Sequence, residues 1–247
     1  IKIYKRHMYK GVKDFINEFR EPFNKNAKSL KEAKKRLKDN GEIATREAIQ
    51  NEAKIVLAEW KKSQDRGSKL HKEIQDKKTK IKKCIVEGWA SFKKESSQEP
   101  DPLTNILKNN TSYIEKRIVS NKYKLIGYAD SVEVKNNFIT IEDIKTCKTI
   151  YRSSGIKTKT GYLVPPTYFY PPIAKLQDCN FIEAALQMSL YMYILWMHNK
   201  KLKPGKMYIR HVKTNSSDKI TEETLIEVPY LRDEVKAMLK YRLQNVV

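Results

Sequence analysis

Apolar residues recur at helical spacing in two parts of the chain, within residues 1 to 25 and from Gly41 to about Ser97. A short first helix is predicted to end at Pro22 and to present Val12, Phe15, Ile16 and Phe19 on one side. From Gly41 to Ser97 the chain has few Gly or Pro residues, so the same spacing predicts successive helices. One runs from Ala48 to Trp60, a second begins near Asp65 as its N-cap, and a third carries Ile81, Cys84, Ile85, Trp89 and Phe92.

The pattern changes from helical to extended after the turn-rich stretch SSQEPDP, residues 96 to 102. Tyr123–Val134 and Phe138–Lys145 are rich in β-branched and aromatic residues, which is typical of strands. Asn136 and Asn137 separate them, and this pair tolerates positive φ and suits a two-residue hairpin turn. The sequence therefore predicts an antiparallel hairpin in which Lys135 pairs with Phe138.

An irregular segment from residue 146 to residue 180 follows the hairpin, and it contains two glycines and four prolines. A loop of that length inside a domain is usually functional or mobile. The elements predicted after it are a helix at 181–198, strands near Lys206–Lys213 and Thr224–Pro229, and a helix at Arg232–Leu243. We expect one α/β domain over 1–247, with a helical part at 1–97 and a core at 98–247.

The chain carries 50 Lys and Arg residues against 29 Asp and Glu residues, a net charge of +21. A surface field of that sign attracts polyanions, so nucleic acid is the first partner to consider and its binding should depend strongly on salt. A lysine-rich bias that merely keeps the surface solvated is the alternative. A membrane-surface role is disfavoured because the basic residues are spread over the whole chain instead of lining one amphipathic helix.

Targeting and redox features point to an intracellular protein. The N-terminus has no signal-peptide pattern, and the most apolar segment, Phe181–Met197, is interrupted by Glu183 and Gln187, which favours a buried helix over a membrane span. Three separated cysteines without CxxC spacing indicate neither a disulfide framework nor a zinc site. We therefore expect a cytoplasmic or nucleoid-associated location, which for a phage-encoded protein would be the host cytoplasm.

The predicted hairpin brings two carboxylates together. If the turn is Asn136-Asn137, Asp130 lies directly opposite Asp143, with Lys145 on the same face. Like charges so placed need a compensating cation, and Mg²⁺ prefers such oxygen ligands. The alternative is an ordinary hairpin with polar residues near its open end. A register slip by one residue would move Asp130 to the other face and bring Glu142 into contention.

Five sequence elements together resemble the RecB-type and lambda-exonuclease-like branch of the PD-(D/E)xK nucleases. This branch includes phage recombination exonucleases and the mitochondrial genome maintenance exonuclease. The elements arrive in the family's order over residues 67 to 191: GSKLH (67–71), Glu115, GYAD (127–130), IEDIKT (141–146) and QMSLY (187–191). The resemblance implies a restriction-endonuclease-like core, a mixed central β-sheet flanked by helices.

The resemblance also implies a role for each matching residue. Asp130 and Asp143 would be ligands of one or two Mg²⁺ or Mn²⁺ ions, and Lys145 would be the catalytic lysine. His71 would be a further ligand or substrate contact, and Glu115 a further acidic residue of the metal site. Taken alone, His71 is equally typical of a helix-packing or surface histidine, and Glu115 of a solvated surface carboxylate. Residues implied in substrate binding or active-site support are Ser68, Gln187 and Tyr191, and Gly67 would allow close approach to the core. One subgroup carries an iron-sulfur cluster on four cysteines, and three cysteines exclude it here.

The function expected from this resemblance is metal-dependent hydrolysis of DNA, by an exonuclease or end-processing enzyme of replication, recombination or repair. Its partners would be single strands or duplex ends, together with replication or recombination proteins. A catalytically inactive nucleic-acid-binding scaffold and an endonuclease are the alternatives. The 146–180 segment mixes cations with aromatic rings, which suits a single strand, and a plain flexible loop is its alternative reading. These residues are Lys157, Lys159, Tyr162, Tyr168, Phe169 and Tyr170.

Overall fold

A computed structural model of the protein describes residues 9–81, 84–86, 102–157, 163–215 and 219–245. Its helices are α1 (Val12–Asn17), α2 (Lys25–Asp39), α3 (Arg46–Ile81), α4 (Asn180–His198) and α5 (Arg232–Asn245). Its strands are β1 (Lys10–Gly11), β2 (Cys84–Val86), β3 (Thr111–Ser120), β4 (Leu125–Lys135), β5 (Phe138–Lys145), β6 (Ile156–Lys157), β7 (Leu163–Val164), β8 (Lys203–Thr214) and β9 (Ile220–Val228).

One mixed sheet organises the fold, with the strand order β2-β3-β4-β5-β8-β9. The pairs β2/β3 and β5/β8 are parallel, whereas β3/β4, β4/β5 and β8/β9 are antiparallel. The short strand β1 adds to the same sheet by pairing in parallel with the start of β4, and β6 and β7 form a separate small sheet. The expected α/β class with a mixed central sheet is therefore confirmed, and elements from both sides of residue 97 share that sheet.

The β4–β5 hairpin forms at the predicted place and in the predicted register. Asn136 and Asn137 have φ values of 51° and 65°, which is the left-handed conformation that a two-residue turn needs. Lys135 pairs with Phe138, and the pairing continues to Ser131 opposite Glu142. The apolar side chains on one face of this hairpin are fully buried in the main core: Val132, Val134, Ile139 and Ile141.

Helix α3 differs from the helices predicted over the same residues. It is one helix of 36 residues that passes through Asp65 without a break, so the expected second start there is wrong. It packs against α2, and its residues Leu70 and Ile74 form a small cluster with Ile144 and Val212. These tertiary contacts hold the helix together where the local sequence resembles a cap.

The third predicted helix is also wrong where the structure describes it. Cys84–Val86 forms strand β2, which pairs with Ser112–Ile114 of β3. A run of three apolar residues suits a strand as well as a helix, and pairing with a distant strand decides between them. Trp89, Phe92 and all of SSQEPDP except Pro102 lie outside the described residues.

Helix α4 lies at the centre of the main core, as predicted for residues 181–198. It contributes buried residues on nearly all sides, from Phe181 to Leu195. The predicted C-terminal strands and the closing helix are confirmed as β8, β9 and α5, with β9 starting earlier than expected, at Ile220. Across the described residues, no helix combines the length and the apolar character that a bilayer crossing requires.

Candidate active site

The centre of the candidate site is a gap beside strand β4. Strand β3 runs along one edge of β4. On the other edge, β1 pairs with Leu125 and Ile126, and β5 pairs with Ser131 to Lys135. Residues 127 to 130 therefore face the space between β1 and β5, where this edge of the sheet is open.

A cavity of about 380 Å³ lies at this gap. Its walls come from five separate parts of the chain, which the fold has to bring together. The residues that matter for its chemistry are Lys13, His71, Glu115, Gly127, Asp130 and Tyr191.

Asp130 ties this cavity to two other elements. Its Oδ2 accepts a hydrogen bond from the backbone N of Ile144 at 2.6 Å and lies 2.8 Å from Nε2 of His71. The hairpin register, continued by one step beyond Ser131 and Glu142, sets Asp130 opposite Asp143. The Asp130 carboxylate thus takes the place of a ladder hydrogen bond at the point where β4 and β5 separate, and both interactions hold it there.

Asp143, which is buried, and Lys145, which is half-buried, form an ion pair on β5. Nζ of Lys145 lies 2.7 Å from Oδ2 of Asp143. Burial and the charge of Asp130 raise the pKa of Asp143, although Lys145 acts in the opposite direction. Burial lowers the pKa of Lys145, but the neighbouring carboxylates outweigh it and the net pKa is raised. The ammonium group therefore stays charged.

His71 reaches the site from helix α3. Burial lowers its pKa, but the hydrogen bond and the charge of Asp130 raise it more, so that its net pKa lies above the ordinary value. Gly67, one turn earlier, allows α3 to approach the end of β5. A β-carbon at Gly67 would lie 2.7 Å from Oγ1 of Thr146. The close approach expected for Gly67 is thus present, against the residue that follows Lys145.

Glu115 lies in strand β3 and lines the same cavity as Asp130. The β3–β4 register pairs Ile114 with Ser131 and Lys116 with Ala129, which leaves Glu115 across from Asp130. Its φ is 51°, a left-handed backbone conformation that costs free energy for any residue with a β-carbon. Such strain clusters at functional sites, and here it turns a half-buried carboxylate toward the cavity wall.

Gln187 and Tyr191 meet on helix α4. Nε2 of Gln187 donates to Oη of Tyr191 at 3.1 Å, and burial raises the pKa of that hydroxyl. The Tyr191 ring packs on Gly127, where a β-carbon would lie 2.6 Å from Cε1. The pair therefore supports the open stretch of β4, and Tyr191 also lines the cavity there.

Ser68 lies apart from the carboxylates. It is exposed on α3 and its Oγ donates to the backbone O of Gln64 at 3.1 Å. It lines a second, more open groove together with His71 and Cys147. His71 borders both spaces, so the groove and the cavity meet at that imidazole.

Glu183 is a site residue that the sequence reasoning missed. In the sequence, Glu183 interrupts the apolar segment Phe181–Met197. A charged residue in an otherwise apolar helix is the signal that could have identified it. Its carboxylate binds Nη1 of Arg20 at 2.6 Å and lies 3.7 Å from Nζ of Lys13. Burial raises its pKa, but Arg20 lowers it more, and the resulting negative charge helps to raise the pKa of Lys145.

The chemistry of the site fits a hard cation in part. Within the described residues no cluster of three His, Cys, Asp or Glu side chains is grouped closely enough to hold a metal ion. Asp130 and Asp143 nevertheless supply carboxylate oxygens, the ligands that Mg²⁺ and Mn²⁺ prefer. The charge of Asp130 raises the pKa of Asp143, and a divalent cation would relieve that repulsion.

Comparisons with known proteins do not assign the chain to a family. No family of known proteins and no curated protein matches it. Among solved structures, one described as the crystal structure of SSO0001 is 12% identical, with a TM-score of 0.29. That alignment covers 96% of this chain and 76% of the other. A TM-score of this size carries no argument about either fold or function.

Proposed function

We propose that this protein is a metal-dependent deoxyribonuclease with a restriction-endonuclease-like core, which hydrolyses DNA from strand ends. The observation that carries the proposal is the position of Asp130 at the open edge of the sheet, with His71 against it and the Asp143–Lys145 ion pair one register step beyond the paired part of the hairpin. Two carboxylates that could hold a metal ion, with a lysine beside them, are the groups that the sequence resemblance implies for phosphodiester hydrolysis, and a bound metal would activate the water.

Asp130 and Asp143 would hold Mg²⁺ or Mn²⁺, with Glu115 and His71 as further contacts. A bound ion would polarise a phosphate oxygen and lower the pKa of a water molecule. The side chains of the protein would position the ion and the phosphate. The neighbouring carboxylates raise the pKa of Lys145, and as an ammonium group it would donate to a phosphate oxygen as charge develops.

The charge of the whole chain supports a polyanionic substrate. A net charge of +21 favours phosphate contacts that position a backbone without reading its sequence. Exonuclease or end-processing action in replication, recombination or repair follows from the sequence resemblance.

A nucleic-acid-binding scaffold without catalysis is the second candidate. One observation favours it: the carboxylates already have partners, because Lys145 pairs with Asp143 and His71 contacts Asp130, and the described residues hold no three-ligand group. In that case the ion pair and the hydrogen bond would serve stability alone.

End-labelled single-stranded and duplex DNA, incubated with Mg²⁺, Mn²⁺ or EDTA, separates the two candidates. The nuclease is expected to cleave with either metal, to stop in EDTA, and to lose at least about a thousandfold in rate as Asp143→Asn. Glu142→Gln is the matched control, because Glu142 is the neighbouring acid on β5 and is held by Arg210 at 2.6 and 2.8 Å. Binding of DNA without metal-dependent cleavage would support the scaffold function. Cleavage of circular DNA would indicate an endonuclease.

A further inference from the structure

Tyr168 and Tyr170 are two exposed aromatic residues on either side of a buried one. They are each 47% exposed, whereas Phe169 is 2% exposed and belongs to the main core. Tyr168 forms an antiparallel bridge with Gln177, and the backbone N of Phe169 donates to the O of Leu176 at 3.0 Å. The segment is therefore extended and fixed, with Phe169 as its anchor.

Extended geometry gives the two tyrosines a defined spacing. Side chains at positions i and i+2 of an extended segment share one side and lie roughly 7 Å apart. That distance leaves room for one planar base between two rings. The backbone N of Tyr170 donates to the O of Phe19 at 2.5 Å, which fixes the second ring's attachment point to the chain segment after α1.

A chain of contacts joins this tyrosine pair, Tyr168 and Tyr170, to the candidate active site. The guanidinium of Arg20 lies 5.8 Å from the Phe169 ring centre and pairs with Glu183 at 2.6 Å. Glu183 also lies 3.7 Å from Nζ of Lys13, which lines the cavity beside β4. The buried ring between the two tyrosines is thus in contact with an ion-pair network that reaches the cavity.

Exposed cations lie on the neighbouring stretch of chain. Lys148 and Arg152 are exposed, and the segment carrying them is fastened to the tyrosine segment because Ser154 exchanges hydrogen bonds with Thr167 at 2.9 Å in both directions. The Arg152 guanidinium also lies over the ring of Phe181 at 4.8 Å. Aromatic rings beside basic side chains, on a fixed backbone, are the two components that hold single strands without sequence preference.

We propose that the tyrosine pair binds unpaired bases of a single DNA strand, whose phosphates contact Lys148 and Arg152, and that it presents this strand to the candidate active site. The inference rests on the proposed function in taking DNA as the substrate. It adds a preference for an unpaired strand over duplex DNA, because a paired base has no free face for stacking.

Fluorescence anisotropy in EDTA tests the proposal without cleavage. Wild-type protein should bind a single-stranded oligonucleotide about tenfold or more tightly than an abasic strand with the same phosphates. The double variant Tyr168→Leu/Tyr170→Leu should lose that advantage and keep its affinity for the abasic strand. Phe138→Leu is the matched control, because Phe138 is 46% exposed and lies at the end of β5 remote from Lys145.

Equal wild-type affinity for the two strands would overturn the proposal, and this measurement needs no variant to fold. An equal loss on both strands in the double variant would also overturn it. Cleavage is scored separately: a metal-dependent nuclease with no base-dependent binding refutes the tyrosine pair alone, and base-dependent binding without cleavage refutes the nuclease alone.

Discussion

Nε2 of His71 lies 2.8 Å from Oδ2 of Asp130, which joins helix α3 to the open stretch of strand β4. An ionised carboxylate accepts and does not donate, so the proton of this hydrogen bond belongs to His71. The same Asp130 oxygen accepts from the backbone N of Ile144. One carboxylate oxygen thus connects a helix and two strands, and although burial lowers the pKa of the imidazole, the hydrogen bond and the charge of Asp130 raise it more.

Stability should depend on pH through His71. Its folded pKa is raised above the ordinary 6.5, so its stabilising contribution is complete below about pH 6.5 and is lost as pH rises through the folded pKa. In EDTA, the difference in unfolding free energy between wild type and His71→Gln should therefore shrink as pH rises from 6 to 9. His198→Gln is the control of opposite sign, because burial lowers the pKa of His198. If the difference in unfolding free energy between wild type and His71→Gln grew with pH, a raised pKa of His71 in the folded protein would be refuted.

The Asp143–Lys145 ion pair predicts an order of variant stabilities. Lys145→Met leaves Asp143 buried beside Asp130, whereas Asp143→Asn also removes the repulsion between the two carboxylates. We expect Lys145→Met to destabilise by about 2 kcal/mol and Asp143→Asn by less. Urea unfolding of the singles and the double should show coupling of at least about 1 kcal/mol. Additive effects, or the reverse order, would contradict this account of the pair.

Gly127→Ala should destabilise the protein by about 2 kcal/mol, because the new β-carbon meets a buried ring. The contacts would be 2.6 Å to Cε1 and 2.8 Å to Oη of Tyr191. Combining Gly127→Ala with Tyr191→Phe removes the contact with Oη and leaves the contact with Cε1, so the loss of stability should be nearly the same. Tyr191→Leu removes both, and in that background Gly127→Ala should cost much less. Thermal unfolding of wild type, the three single variants and the two double variants measures this, and an equal cost of Gly127→Ala in every background would exclude the packing explanation.

Gly67→Ala is expected to behave differently, since its contact is with a half-buried hydroxyl. Alanine gains about 1 kcal/mol over glycine inside a helix, but the β-carbon would lie 2.7 Å from Oγ1 of Thr146. The gain should therefore appear in full only when Thr146→Ala is also present. Ser68→Ala, at an exposed neighbouring position, should change the stability by the same amount whether or not Thr146→Ala is present. Denaturant midpoints are compared for each substitution with and without Thr146→Ala. If Gly67→Ala stabilises the protein equally in both cases, the close approach of Gly67 to Thr146 is contradicted.

The hairpin was predictable because its determinants are local. Asn136 and Asn137 supply the positive φ values of the turn, and alternation then fixes which side chains of β4 and β5 share a face. The same reasoning identified helix α4 from its apolar residues. Site residues within the hairpin, and separately those within α4, could therefore be placed relative to one another from sequence alone.

Elements that depend on distant partners were not predictable in the same way. Strand β3 was not expected, so Glu115 could not be assigned to a strand opposite Asp130. The apparent start at Asp65 lies inside α3, which is stabilised by packing on α2 and the sheet. Helix α2 was also not predicted, and its few apolar residues, such as Ala33 and Leu37, bury a narrow side. In each case a tertiary contact decides the outcome.

The cavity beside β4 has a consequence for biosynthesis. Its walls include Lys13 near the start of the chain and Tyr191, which a ribosome adds much later. Domains fold as their parts emerge, so this cavity cannot be complete until translation has passed helix α4. The nascent chain would therefore carry the strands of Asp130 and Asp143 without an assembled pocket around them until Tyr191 has been added.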